Sequence, residues 1–385
     1  MQMLPFFLGI LRKVRPIARF GNTYIVTRHD DVREVFAADE SFGTPYKAKL
    51  DIIMGGEPFI LGLADGAEYR GKLAALRRVV RPSDLPMLAE KVEAKAQAIV
   101  TQAHGRLDVV DTLVRRISFE FLAEYLGVPP LTDGNLEVWG TRLFEFQFIA
   151  DDKPLRAEVA TIAPALRRHI QNEIDRRRST GEVRDDVLAR CIVLQREGDR
   201  DFDDTMICTN IVGLIVGGPP QPPMALPQAM DQLLRRPEAL ARACRAARDG
   251  DDELLAACIF EAMRFDPLAP WFRRRALTAR TIGASSDHAR TIPVGATVLA
   301  AVGSAMRDER RVPEPKLFDV DRAPDQYLHF GFGIHQCFGL EINRATLHLM
   351  LKPLLARPNL RRAAGRSGRL RKQGPFASSL IVEFD

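Results

Sequence analysis

Apolar side chains recur at three- and four-residue intervals through most of the chain between about residues 68 and 250. That spacing gathers them on one face of an α-helix. It predicts helices over 87–103, 111–126, 135–149, 155–178, 203–217 and 225–247, then over Leu254–Phe265 and Leu340–Leu351. Alternating patterns are scarcer. Thr23 to Thr27 reads as a strand, and Asp30-Asp31 as the cap of a short helix carrying Val32, Val35 and Phe36. Thr291-Ile292 and Thr297–Ala301 read as strands around the Pro293-Val294-Gly295 turn, with another strand pair near 378–384. Residues 43–65 are Gly-rich and irregular, with Ile52, Ile53, Met54, Phe59 and Ile60 scattered among them. The expected fold class is mostly α with a small β-rich portion. No repeat, linker or compositional break divides residues 1–385, so one domain is expected.

Composition narrows the partners. A hydrophobic fraction of 46% supports an ordinary globular core. The net charge of +5 is modest, and no segment interleaves basic with aromatic residues as nucleic-acid binding requires. Arg361, Arg362, Arg366, Arg369, Arg371 and Lys372 cluster, as a solvated surface or as a face for an anionic protein. The cysteines at 191, 208, 244, 258 and 337 form no CxxC pair, which points to a reducing compartment, with Cys208, Cys244 and Cys258 as buried thiols. The apolar stretch Met3–Leu11 contains Pro5, is too short for a membrane span, and lacks the flanks of a signal peptide. A soluble, cytoplasmic protein is expected.

The most informative chemistry lies in Phe330-Gly331-Phe332-Gly333-Ile334-His335-Gln336-Cys337-Phe338-Gly339. Glycines on both sides of a cysteine let backbone N–H groups reach the sulfur, since glycine tolerates positive φ and has no Cβ in the way. The helix expected from Leu340 would point its positive dipole end at that sulfur. His335 is placed to meet an anionic group at the rim of a bound metal complex. These are the requirements of a haem-thiolate site; the bland alternative is a buried cysteine in a Gly-rich loop.

The run resembles the cysteine loop of the cytochrome P450 family, Phe-x-x-Gly-x-His/Arg-x-Cys-x-Gly, with Phe330, Gly333, His335, Cys337 and Gly339 in its places. Val26–Gly43, Gln228–Cys244, Ser304–Asp308, Pro313-Glu314-Pro315 and Phe318–Arg322 resemble further family segments, so the likeness runs from about residue 20 to the end. It implies a single-domain triangular prism, with haem b (iron protoporphyrin IX) held between a long broken central helix and the cysteine-loop helix. Cys337 would be the iron ligand. Glu261 and Arg264, at i and i+3 on one helix, resemble with Arg322 the family's Glu-Arg-Arg triad, whose role is to lock the segment before the thiolate loop. Arg274 would reach a haem propionate together with His335, although Arg273-Arg274-Arg275 leaves the choice open.

The chain departs from the family twice. A gapless alignment on Asp65 and Pro82 puts Tyr69 and Leu73 where a propionate-binding His-x-x-x-Arg pair is usual. Lys72, Arg77 or Arg78 could compensate, or could form a basic proximal face for a ferredoxin-type partner. In the central helix, Ala/Gly-Gly-x-Asp/Glu-Thr is replaced by Gly217-Gly218-Pro219-Pro220-Gln221, followed by Pro222-Pro223. Proline cannot deliver a proton and glutamine is a poor acid. An interior proline costs about 3 kcal/mol in a regular helix. The helix is therefore expected to break at Gly217-Gly218 and restart near Ala225, with Gly217, Gly218 and Gln221 as candidate catalytic positions.

Pro220-Gln221 favours an oxidoreductase that uses peroxide, or a substrate already carrying an O–O bond. Two other readings stand beside it: an O2-dependent monooxygenase fed by a separate ferredoxin and reductase, and a haem-binding protein without turnover. By resemblance, substrate would touch the 44–62 segment, the 144–149 aromatic run, Val216–Gly218, Leu268–Phe272 and Phe376–Ser379. Phe148, Val216, Trp271, Phe272 and Phe376 are the chosen lining residues, and their apolar character points to a hydrophobic small molecule.

Overall fold

The computed structural model describes residues 3–131, 133–149 and 151–385. Helices make up its main body, and one buried cluster runs through them from Tyr46 to Phe384. The Leu340–Leu355 helix, which follows the cysteine loop, packs along Leu85–Gln102 and against Asp252–Phe265. A smaller core lies over a five-stranded sheet. The sheet order is Ile17–Phe20, Thr23–Val26, Thr297–Ala300, Phe272–Ala276, Phe42–Gly43. Thr23–Val26 and Thr297–Ala300 run parallel, and the other neighbours antiparallel.

Several elements differ from the pattern-based expectation, each for a local reason. The 225–247 run is two helices, Pro222–Leu234 and Pro237–Asp249. Arg236 precedes a proline, which disfavours the helical basin, and it sits at φ −127°, ψ 89°. The central helix restarts at Pro222, before Ala225, because Pro222 and Pro223 occupy the first turn, where the missing N–H groups would have no partner anyway. The irregular 43–65 segment contains the helix Lys47–Met54, with Leu50, Ile53 and Met54 buried, ended by Gly55 at φ +76°. The 111–126 run begins earlier, as a π-helical turn over Val109–Arg115 that continues as α-helix over Arg116–Leu126.

Asp30 and Asp31 do not cap their helix. They lie in the first turn of His29–Ala37, and Asp308, from far along the chain, accepts the His29 N–H at 3.0 Å. The strands near 378–384 are Phe376–Ser379 and Ile381–Glu383, but they do not pair with each other. The first pairs with Arg371–Gln373, and the second lies between Arg106–Asp108 and Arg361–Arg362. Met3–Val14 is a helix, and among the described residues no helix is long and apolar enough to cross a membrane. Cys191, Cys208, Cys244 and Cys258 are buried free thiols.

Candidate haem-thiolate site

The cysteine loop is held by its own backbone. The Cys337 N–H donates to the Phe330 carbonyl at 2.9 Å, and the Gln336 N–H to that of Gly333 at 3.1 Å. Gly333 sits at φ +78°, and a Cβ there would fall 2.7 Å from the Phe36 carbonyl oxygen, so the backbone of this loop must press directly on the His29–Ala37 helix. Gly339 is different. It is not left-handed, having φ −83°, and its value is lack of bulk: a Cβ would sit 3.9 Å from the Cys337 sulfur. The Gly339 N–H and the Asn343 side-chain amide both donate toward Sγ at the start of the Leu340–Leu355 helix. Burial pushes the thiol's pKa up, and those two donors pull the other way. Cys337 is half-buried, so its sulfur keeps an open side. A partly desolvated sulfur gains most as an anion when a cation compensates it, which suits a metal ligand.

Strand alternation distinguishes the three arginines by burial. In Phe272–Ala276, Arg273 and Arg275 point to solvent while Arg274 is 6% exposed, opposite Val298 of the neighbouring strand. Its guanidinium lies 5.0 Å from the Phe36 ring and donates to the Arg273 carbonyl at 3.1 Å, with Asp39 and Tyr46 nearby. His335 Nε2 is 3.3 Å from Asp39 Oδ1, off the hydrogen-bonding direction, and has no other acceptor among the described residues. Burial raises the Asp39 carboxyl pKa, but His335, the Asp65 N–H and Arg274 outweigh it and hold the group below its ordinary value. A buried guanidinium and an imperfectly partnered imidazole thus flank the loop. They fit the carboxylates of a haem.

Tyr69 packs edge-on to the His335 ring at 5.3 Å and donates its hydroxyl to the Ile334 carbonyl. It braces the cysteine loop where a charged side chain was sought. Leu73 packs into the core. Arg78 turns to Asp199 at 2.6 Å and Lys72 to the Met206 sulfur at 3.5 Å, while Arg77 is exposed. The C-terminal basic cluster is not simply a solvated face either, since Arg362 reaches Asp231 at 2.8 Å and Lys372 reaches Gln228 and Asp266.

Glu261 is fully buried and accepts from two of the three guanidinium nitrogens of Arg264, Nη2 at 2.7 Å and Nε at 2.8 Å. Arg322 Nε at 3.2 Å, the Tyr327 hydroxyl and the Asp319 N–H complete its shell. The two guanidiniums then donate outward, Arg264 to the carbonyls of Met306, Pro315 and Leu317, and Arg322 to those of Pro313, Glu314 and Leu317. The segment 306–322 is stapled to the Asp252–Phe265 helix just ahead of the loop.

In the central helix, Asp204–Gly217 ends at Gly218, with φ −110° and ψ −80°. Pro219 and Pro220 carry no N–H for the carbonyls of Ile215 and Val216, four residues earlier. The Gln221 N–H bonds the Gly218 carbonyl at 3.1 Å, which leaves Gly217's carbonyl to the Gln221 side-chain amide. Ser118, from the Arg116–Leu126 helix, donates to the Pro219 carbonyl at 2.8 Å. Gln221 therefore uses its carboxamide to cap the break.

Of the expected pocket residues, Phe148 and Phe376 come together through Phe144, with ring separations of 4.9 and 6.3 Å, and Tyr46 stands edge-on to Phe148 at 5.1 Å. Val216, 2% exposed, belongs to the same core. Phe272 packs instead on Phe36 in the sheet-side core, and Trp271 packs against the Leu8, Ile25 and Ala301 cluster. Asp39, Ser118 and Asn343 escaped the sequence reading. Only Asn343 carried a signal there, being one helical turn past Gly339.

The family model for Cytochrome P450 matches residues 142–365. Mycinamicin IV hydroxylase/epoxidase of Micromonospora griseorubida is 27% identical over 378 residues, covering 92% of this chain and 88% of that protein. Erythromycin C-12 hydroxylase of Saccharopolyspora erythraea is 25% identical over 362 residues, covering 91% and 86%. The ligand-free structure of cytochrome P450 TbtJ1 superposes with a TM-score of 0.84 at 24% identity, covering 100% of this chain and 98% of that one, a likeness of fold. These relatives are named as enzymes, which sets aside a haem carrier without turnover. With its cysteine loop, buried Glu-Arg-Arg staple and broken central helix, this chain belongs to the cytochrome P450 family of oxidoreductases.

Proposed function

We propose that the chain is a haem b monooxygenase acting on a hydrophobic small molecule, its electrons supplied by a separate ferredoxin-type donor and reductase. The observation that carries this reading is the Cys337 sulfur, half-buried and facing the Gly339 and Asn343 N–H donors. Bound haem would supply the redox-active iron that couples oxygen to the substrate. The chain's residues would do the rest. Cys337 would ligate the iron, Arg274 and His335 would hold the propionates, and the Glu261 staple would fix the approach of the loop. Tyr46, Phe144, Phe148 and Phe376 offer an apolar wall and exclude water. Gly217 and Gly218 open the central helix, and the carbonyls of Ile215 and Val216 can order water there as a proton path. Residues 1–385 are read as one catalytic unit, supported by the core cluster that runs through the helical body.

Relatives named for hydroxylating or epoxidising mycinamicin IV, erythromycin and vitamin D(3) support oxygen insertion. Their spread narrows the substrate no further than a hydrophobic small molecule. A second reading, use of peroxide or of a pre-oxidised substrate, is favoured by one observation: Pro220 has no proton to give and the Gln221 amide is engaged with Gly217.

The test is turnover under labelled O2 with ferredoxin, reductase and NADPH, beside turnover with hydrogen peroxide alone. One labelled atom in the product of the first reaction is expected. Efficient product formation with peroxide alone, and none with reduced ferredoxin, would overturn the monooxygenase reading in favour of the second. Cys337→Ala should abolish the red-shifted Soret band of the reduced carbonyl complex.

A further inference from the structure

The sulfur of Cys337 has a side-chain donor as well as the Gly339 backbone N–H. Asn343 lies in the second turn of the Leu340–Leu355 helix, and its own N–H bonds the Gly339 carbonyl at 2.9 Å. That contact aims its side chain back at the loop, with Nδ2 at 3.8 Å from Sγ, within reach for a hydrogen bond to sulfur. Gly339 leaves the line open, since a Cβ there would stand 3.6 Å from Asn343 Nδ2 and 3.9 Å from Sγ. An anionic sulfur selects the amide nitrogen over the amide oxygen, because only the nitrogen carries protons.

We infer that Asn343 is a positioning residue that hydrogen-bonds the metal-binding sulfur and draws electron density from it, setting how strongly Cys337 donates to iron. This rests on the haem-thiolate reading above. A donor aimed at a thiolate makes a charge-assisted bond. It favours the reduced, more negative state of the complex, because the sulfur carries more charge there. The ferric-to-ferrous potential would therefore be held higher than the Gly339 N–H alone would set it, and the Fe–S bond would be weaker.

The test uses the haem-loaded full chain with Asn343→Ala and Asn343→Leu, the second keeping bulk without an N–H. Both should raise the Fe–S stretching frequency in resonance Raman spectra and move the reduced carbonyl Soret band to longer wavelength. Both should also disfavour reduction by about threefold in equilibrium constant, or about 30 mV for a one-electron couple. A merely structural role would shift thermal stability and leave these three readouts in place. If both variants load haem and keep the parent's stretch, band and potential, the inference is overturned. If the parent protein itself shows no red-shifted band, the haem-thiolate reading fails instead.

Discussion

Arg274 and Tyr69 show how single side chains acquire roles here. Three consecutive arginines are equivalent in sequence, and only the pleat of Phe272–Ala276 distinguishes them by turning Arg274 inward. Arg274→Leu should accelerate haem loss to an apo-globin acceptor by at least tenfold, whereas Arg273→Leu should leave that rate unchanged; equal effects would remove Arg274 from the propionate site. Tyr69→Phe deletes the hydroxyl that braces Ile334 and should lower stability by about 1 kcal/mol, read as a shifted urea midpoint. The cysteine loop was legible without any structure because its motif is written in ten adjacent residues. Asp39 was not, since nothing in Ala38-Asp39-Glu40 announces a contact with His335 almost three hundred positions later.

The broken central helix divides in the same way. The prolines make a break compulsory, and their positions announce it in advance. How the break is finished depends on neighbours: the Gln221 amide on Gly217, and Ser118 from another helix on Pro219. Gln221→Ala leaves the Gly217 carbonyl without that donor and should cost about 1 kcal/mol, measured by urea unfolding with an unchanged m-value. A variant as stable as the parent would show that water caps the carbonyl equally well. Periodicity overran at 225–247 because it reports which face is apolar, and that face continues across the Arg235-Arg236 joint; Pro237, not hydrophobicity, ends the helix. The Lys47–Met54 helix was hidden for the opposite reason, since a short segment among glycines has too few turns to show a period.

Across the molecule, buried charge ties distant segments together. Glu261→Ala would strip the buried Arg264 guanidinium of its carboxylate and leave Arg322 with only Asp319 at 3.8 Å, which is expected to destabilise the chain by about 3–5 kcal/mol and to prevent haem loading. Full loading at parental stability would refute the staple. Acid should lower the protein's stability over two pH windows. Burial pushes the His329 pKa down to about 4, so the unfolded chain takes up that proton first, and stability falls as pH drops from about 6.5 to about 4. Glu173, held at about 2 by Arg176 against the opposing effect of burial and with help from Arg177, contributes stability that is present above about 4.5 and is lost as pH falls toward 2. Urea midpoints measured from pH 7 to pH 3 should decline throughout; a flat profile would contradict both assignments. Helix content, the cysteine loop and the site of the break follow from order along the chain, because each depends on side chains within a few positions of one another. Which arginine turns inward, what caps the break, which aromatic rings share a wall and what touches the sulfur were settled only by folding. Those contacts join residues far apart in the chain, and no local pattern encodes a distance.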